Sequence, residues 1–134
     1  MKAVIDTRFF VVHFLAEDEV TKGKTRRILE DLQRRGNVGF VPTVVIHELY
    51  KFEVENFGID VAEIRVNTIL KSNLKVTDLD HQIAVESAKL RCKYGNLPMA
   101  DSIIVATAIQ TSSEFILTDD VHIKQVREVK TKWI

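Results

Sequence analysis

The sequence predicts an α/β fold, a three-layer α/β/α arrangement around a mostly parallel sheet of about four to five strands. Two observations predict it. Short β-branched runs alternate with longer stretches of helical periodicity along the whole chain. No repeat, low-complexity tract or Pro/Ser-rich linker interrupts that alternation. A length of 134 residues with 46% hydrophobic content suffices for one full core, so residues 1–134 are expected to form a single domain.

Taken in order, the first strand is Ala3 to Ile5, and Phe9 to Leu15, "FFVVHFL", is an apolar helix. Its residues cannot all face one core, so a dimer interface or a bound partner is expected to cover the remainder. Val20 to Arg35 is amphipathic through Val20, Ile28, Leu29 and Leu32, with Gly36 as its stop. Val38 to Val41 is the second strand. Pro42 can open the next helix, which carries Val44, Val45, Glu48, Leu49 and Phe52 on one side and runs toward Gly58. Asp60 to about Lys71 is helical, Leu74 to Val76 is a strand, and Asp80 to Tyr94 is a helix through Ile83, Ala84, Ala88 and Leu90, ended by Gly95. "PMADSIIVATAI", Pro98 to Ile109, is the last long helix, followed by strands at Phe115 to Leu117 and Val129 to Thr131.

Composition narrows the setting. Nineteen basic and nineteen acidic residues cancel, so overall charge neither demands nor excludes a nucleic-acid partner. Cys92 is the only cysteine, which excludes an intrachain disulfide and a cysteine zinc cluster and leaves it as a small buried hydrophobe. No run approaches the roughly 18 apolar residues of a membrane span, and Asp6 falls where a signal peptide would stay apolar. A cytoplasmic protein with no membrane partner is expected.

Ligands of such sheets gather at the carboxyl ends of strands, and the acidic residues sort by that rule. Asp6 directly follows "AVI", while Asp119 and Asp120 follow "FILT". Glu48 lies four residues from both Val44 and Phe52, on an apolar stripe, and Asp101 heads an apolar helix. Capping is an alternative role for Asp6, Asp101 and Asp120. Glu48 is harder to explain so, because an unpaired buried carboxylate costs several kcal/mol; Arg8, Lys51 or Lys93 are candidate partners. Together the four acids suggest a metal. A carboxylate pocket without Cys or His suits Mg²⁺ or Mn²⁺, and such an ion can activate water and neutralise charge on a phosphodiester.

The quartet resembles the PIN-domain nuclease pattern, in particular VapC-type toxins and their archaeal relatives. The matching stretches are "VIDT", "PTVVIHEL", "PMADSIIVATA" and "ILTDDVHI", spread from Ala3 to about Ile123. The resemblance places Asp6, Glu48 and Asp101 at the family's three near-invariant acidic positions and Asp120 at the fourth, with Asp119 as its alternative neighbour. Thr7 and Thr118 match hydroxyls that support the acidic cluster. The chain departs from the pattern at Arg8, where Ser or Asn is common, leaving a guanidinium at the pocket mouth to bind substrate phosphate or pair with an acid. It departs again at His122-Ile123, where an aromatic is common, and His122 is expected to be a surface or packing residue, with contact to substrate as the lesser alternative.

The resemblance implies a metal-dependent, single-strand-selective endoribonuclease. It also implies an antitoxin partner whose C-terminal segment lies across the active site, often on a homodimer. A housekeeping RNA-processing nuclease and a non-catalytic RNA- or protein-binding module are the alternatives. Basic residues cluster at Lys22, Lys24, Arg26 and Arg27, diluted by Glu30 and Asp31, and again at Lys124, Arg127, Lys130 and Lys132; such groups give affinity for phosphate without sequence choice. Tyr50, Phe52 and Phe57 are expected in the core or a dimer contact. Other enzyme classes fail on single residues. "IHELYK" lacks the second histidine of a zinc protease, Asp6-Thr7-Arg8 lacks the second acid of a haloacid-dehalogenase phosphatase, and the paired N-terminal acids of a receiver domain are missing.

Overall fold

The computed structural model describes residues 1–134. In chain order the elements are β1 (Lys2–Ile5), α1 (Thr7–Leu15), α2 (Glu19–Leu32), β2 (Val38–Pro42), α3 (Thr43–Phe57), α4 (Ile59–Leu70), β3 (Lys75–Thr77), α5 (His81–Lys93), α6 (Met99–Gln110), β4 (Phe115–Leu117), α7 (Val121–Lys124) and β5 (Thr131–Lys132). The sheet order is β3-β2-β1-β4-β5, and every neighbouring pair is parallel. Helices cover both faces, completing three α/β/α layers. Ala3, Val4 and Ile5 of β1 are wholly buried, which is why the strands are short unbroken apolar runs rather than alternating ones. No helix is long and apolar enough to cross a membrane.

The chain visits β1, then β2 and β3 on one side, and then returns to β4 and β5 on the other. The connections therefore diverge between β1 and β4, opening a crevice beyond their carboxyl ends. Strand boundaries differ from the sequence expectation by a residue or two, because β3 and β5 are delimited by their pairing with Phe40–Pro42 and Ile116–Leu117 rather than by apolar content. The short α7 lies outside the sequence expectation because its four residues are too few to show a period.

Packing corrects several inward faces. α1 starts at Thr7, buries Phe9 and Phe10, and half-buries Val11 and Phe14, with the Phe9 ring edge-on to Trp133 at 6.2 Å. Much of the apolar surface expected to need a partner is thus covered by the chain itself. α2 ends at Leu32, and Gly36, at φ +91°, turns the chain toward β2. The buried row of α2 is Thr25, Leu29 and Leu32, whereas Val20 is 67% exposed. Thr25 is wholly buried and its hydroxyl meets His13 Nδ1 at 2.9 Å, tying α2 to α1. Cys92 is exposed rather than buried, because the inward row of α5 is Ile83, Ser87 and Leu90 and Cys92 lies about 200° around the helix from Leu90. Ala84 and Ala88 miss that row as well and are exposed.

The inward row of α3 is Val45, Leu49 and Glu53, one residue on from the expected Val44–Glu48–Phe52 stripe. The wholly buried carboxylate of this helix is therefore Glu53, which lies off the expected stripe, and Glu48 sits at the edge of the packed face. Glu53 Oε2 accepts a hydrogen bond from Arg65 of α4 at 2.7 Å. The Arg65 guanidinium lies over the rings of Phe57, at 4.9 Å, and Phe14, at 5.5 Å. Cation–π contact and the ion pair together hold α4 against α3 and α1.

Two substitutions test this packing by urea denaturation. A Cβ on Gly39 would stand 2.7 Å from Leu74 Cδ2 and 3.2 Å from Leu32 Cβ, so Gly39→Val is expected to cost ~1–3 kcal/mol by overpacking. Arg65→Ala strands the Glu53 carboxylate and is expected to cost ~3 kcal/mol, while adding Glu53→Leu restores most of that loss.

Candidate functional site

The site begins with a strand pair. Ile5 pairs with Leu117 across β1 and β4, and the Asp6 backbone N–H donates to the Leu117 carbonyl at 3.2 Å. The residues that follow the two strands, Asp6 and Thr118 to Asp120, consequently face the same crevice. Asp6 caps α1, its Oδ1 accepting the Thr7 N–H at 2.7 Å. Its Oδ2 accepts the Thr118 hydroxyl at 2.6 Å, and that hydroxyl in turn accepts the Asp120 N–H at 3.0 Å. One buried threonine therefore connects the two loops.

Glu48 reaches the cluster from α3 and accepts the Thr7 hydroxyl at 2.7 Å. None of its three candidate cationic partners is engaged with it: Arg8 pairs with Asp119, Lys51 with Glu55 and Lys93 with Glu128. Asp101 is the third residue of α6, whose N-cap is Pro98, without a side-chain cap bond. It is not a cap, and it makes no side-chain hydrogen bond. Its place in the first turn still lets the amide dipoles of α6 favour a negative charge there. Asp120 caps α7, its Oδ1 accepting the His122 N–H at 2.8 Å.

Donor atoms of Asp101, Asp120 and His122 all lie within 4.8 Å of one another, a spacing that can hold a metal ion. Asp6 and Glu48 stand outside this tightest group, each held by a threonine hydroxyl. His122 was expected to be a surface or packing residue. Its ring is partly exposed and also lies beside the site, with Nδ1 3.4 Å from Asp120 Oδ1. The signal in the sequence was its position two residues after Asp120, within the turn that Asp120 itself caps.

Electrostatics mark the cluster as crowded. Burial pushes the Asp6 carboxyl from its ordinary 3.8 up to about 6, opposed by the Thr118 and Thr7 hydrogen bonds and reinforced by Glu48 and Asp120. Asp101 is pushed further, to about 7, first by loss of water and then by the charges of Asp120, Asp6 and Glu48, with His122 opposing. Both shifts mean that negative charge is held here at a cost that a bound cation would relieve. An oxygen-rich donor set under mutual repulsion fits a hard divalent ion.

At the mouth, Arg8 grips Asp119 with two N–H groups, Nη2 to Oδ2 at 3.1 Å and Nε to Oδ1. The Arg8 hydrogen bond, and then its charge, hold the Asp119 carboxyl below the usual range. The guanidinium thus pairs with an acid, and Asp119 is occupied by it. Beside Glu48, α3 and α6 frame a groove of about 530 Å³ lined by Val44, His47, Lys51, Phe52, Met99 and Ile103, among others. Phe52 belongs to this groove, the Tyr50 hydroxyl donates to Glu63 at 2.8 Å, and Phe57 lies beneath Arg65. Of the basic residues near the C-terminus, Lys132 lies over the Phe115 ring, while Lys124, Arg127 and Lys130 are exposed.

Comparison with solved structures gives full-length likeness at low identity. VapBC2 from Rickettsia felis, solved with a DNA fragment from its promoter, superposes with a TM-score of 0.78 at 13% identity, covering 99% of this chain and 98% of that one. DNA-bound VapBC from Salmonella typhimurium gives 0.76 at 14% identity, over 99% and 98%. The sarcin-ricin loop cleaving toxin VapC20 from Mycobacterium tuberculosis gives 0.74 at 13%, over 92% and 93%. At these identities the likeness is one of fold. No curated protein sequence matches the chain. The sequence pattern of the PIN domain, however, matches residues 3–129, and with the site's acids distributed over that span the chain belongs to the PIN domain family.

Proposed function

We propose that this PIN-domain chain is a Mg²⁺- or Mn²⁺-dependent endoribonuclease that hydrolyses RNA phosphodiester bonds. On this reading it is the toxin of a VapBC-type pair, acts in the cytoplasm as a homodimer, and is restrained by an antitoxin protein. The observation that carries the reading is the crowding of carboxylates beyond β1 and β4, strong enough to push Asp101 up to about 7. Such a cluster is stabilised by a divalent ion and is costly without one.

Asp6, Glu48, Asp101 and Asp120 are the residues that would hold the ion. When bound, it would lower the pKa of a water, orient that water toward the phosphodiester and neutralise charge on the transition-state oxygens. The chain's own groups do the rest. Thr118 and Thr7 orient Asp6 and Glu48 through their hydroxyls. Asp119 aims Arg8, whose Nη1 is left to meet a substrate phosphate at the pocket mouth. Lys124, Arg127, Lys130 and Lys132 add attraction for the RNA backbone without reading sequence. For the antitoxin, support comes from the solved VapBC complexes of the same fold; for self-association, from Ile59, Ile64 and Leu70, apolar and exposed on α4.

Three measurements follow. Asp101→Asn should abolish cleavage of single-stranded RNA while raising the thermal midpoint of chelator-treated protein by a few degrees; cleavage at the wild-type rate would remove Asp101 from the mechanism. Millimolar Mn²⁺ should raise the midpoint of the wild type through mass action, and much less that of Asp101→Asn. In metal-free protein, Asp6 and Asp101 hold protons more tightly folded than unfolded, their values rising from 3.8 to about 6 and about 7. The folded state then carries excess protons between about pH 4 and pH 7, so stability contributed by these groups falls as pH rises through that window. Urea titrations in chelator at pH 5 and pH 8 should show the loss, and Asp101→Asn should shrink it.

A further inference from the structure

We infer that His122 donates a ring nitrogen to the same ion as Asp101 and Asp120, making this a mixed nitrogen and oxygen centre that favours Mn²⁺ over Mg²⁺. The inference rests on the metal-dependent reading above and adds a ligand that the acidic pattern does not include.

The geometry comes from α7. Asp120 caps this turn by accepting the His122 N–H at 2.8 Å, and the same curl of backbone returns the imidazole over the carboxylate, with Nδ1 3.4 Å from Oδ1. Two donors on one ion can stand at most about 4.2 Å apart, twice a metal–ligand distance of ~2.1 Å. The donor atoms of Asp101, Asp120 and His122 already fall within 4.8 Å of one another, and His122 Nδ1 and Asp120 Oδ1, at 3.4 Å, are near the ~3 Å that separates neighbouring donors on one octahedral ion, so side-chain rotations on the order of an ångström close the set. The His122 side chain is 42% exposed and has no partner but Asp120, which leaves the ring free to turn.

No other histidine offers this. His13 is tied to Thr25 between α1 and α2, His81 is exposed at the start of α5, and His47 lines the α3–α6 groove. Chemistry then separates the ions. Mg²⁺ demands oxygen donors in near-ideal octahedral geometry and keeps several waters, whereas transition ions accept imidazole nitrogen readily. A ring nitrogen beside two carboxylates therefore contributes more to Mn²⁺ than to Mg²⁺.

The test uses Mn²⁺ alone, bound to the full chain without RNA. Electron spin-echo envelope modulation should show ¹⁴N coupling in the wild type, lost in His122→Gln and in His122→Asn but kept in His47→Gln. Calorimetric titration should show at least about a tenfold loss of Mn²⁺ affinity in His122→Gln, with Mg²⁺ affinity changed by no more than about twofold. Matching thermal midpoints in chelator establish that the variants are folded; if one is not, the wild-type and His47→Gln spectra still decide. Mn²⁺ bound with no ¹⁴N coupling, or with coupling that survives loss of His122, overturns this inference and leaves the nuclease reading standing. A wild type that binds no Mn²⁺ overturns both.

Discussion

The parallel pairing of Ile5 with Leu117 is the contact on which the site depends. It sets β1 beside β4 in the middle of the sheet, although more than a hundred residues separate them, and it does so where the chain's connections part to either side. Loops that leave the two strands must then share one crevice. Asp6 and Thr118 meet there through a single hydrogen bond, and α3 and α6 direct Glu48 and Asp101 toward the same end. The rest of the core, from Ile116 in β4 to Ile104 in α6, keeps those two strands in register.

Local order at this crevice is bought with hydroxyls rather than cations. Thr7 and Thr118 each hold one carboxylate oxygen without cancelling its charge, so the acids are oriented and yet still repel. Arg8, the one guanidinium at the mouth, is diverted to Asp119 at the rim. An exposed pair of this kind adds little stability, and its effect is to keep positive charge near the cluster but out of it. Positioned acids, unneutralised, are what a cation site needs and what a merely structural cluster would avoid.

Elsewhere the molecule handles charge in the opposite way. Glu53 is wholly buried and given to Arg65, itself stacked on Phe14 and Phe57. Glu48 and Glu53 of α3 lie five residues apart, so they project from the helix in quite different directions: Glu53 to an ion pair, Glu48 to a hydroxyl in the crevice. Their contrast separates a charge that supports packing from one left available for chemistry.

The sequence by itself determined the alternation of strands and helices, the absence of a linker and the attachment of Asp6, Asp101 and Asp120 to element ends, because these follow from local period, caps and breakers. It placed Asp6 and Asp120 after strands and Asp101 at a helix start without any knowledge of the sheet. Only the tertiary structure decided which neighbours those positions acquired. The face of α3 that turns inward, Val45–Leu49–Glu53 rather than Val44–Glu48–Phe52, is set by the helices and strand packed against it, and two adjacent stripes of similar polarity look alike along the chain. Exposure of Cys92 and Val20 has the same origin. The approach of His122 to Asp101 and Asp120 depends on a four-residue helix too short to leave a period, and on a strand pairing that no local pattern encodes.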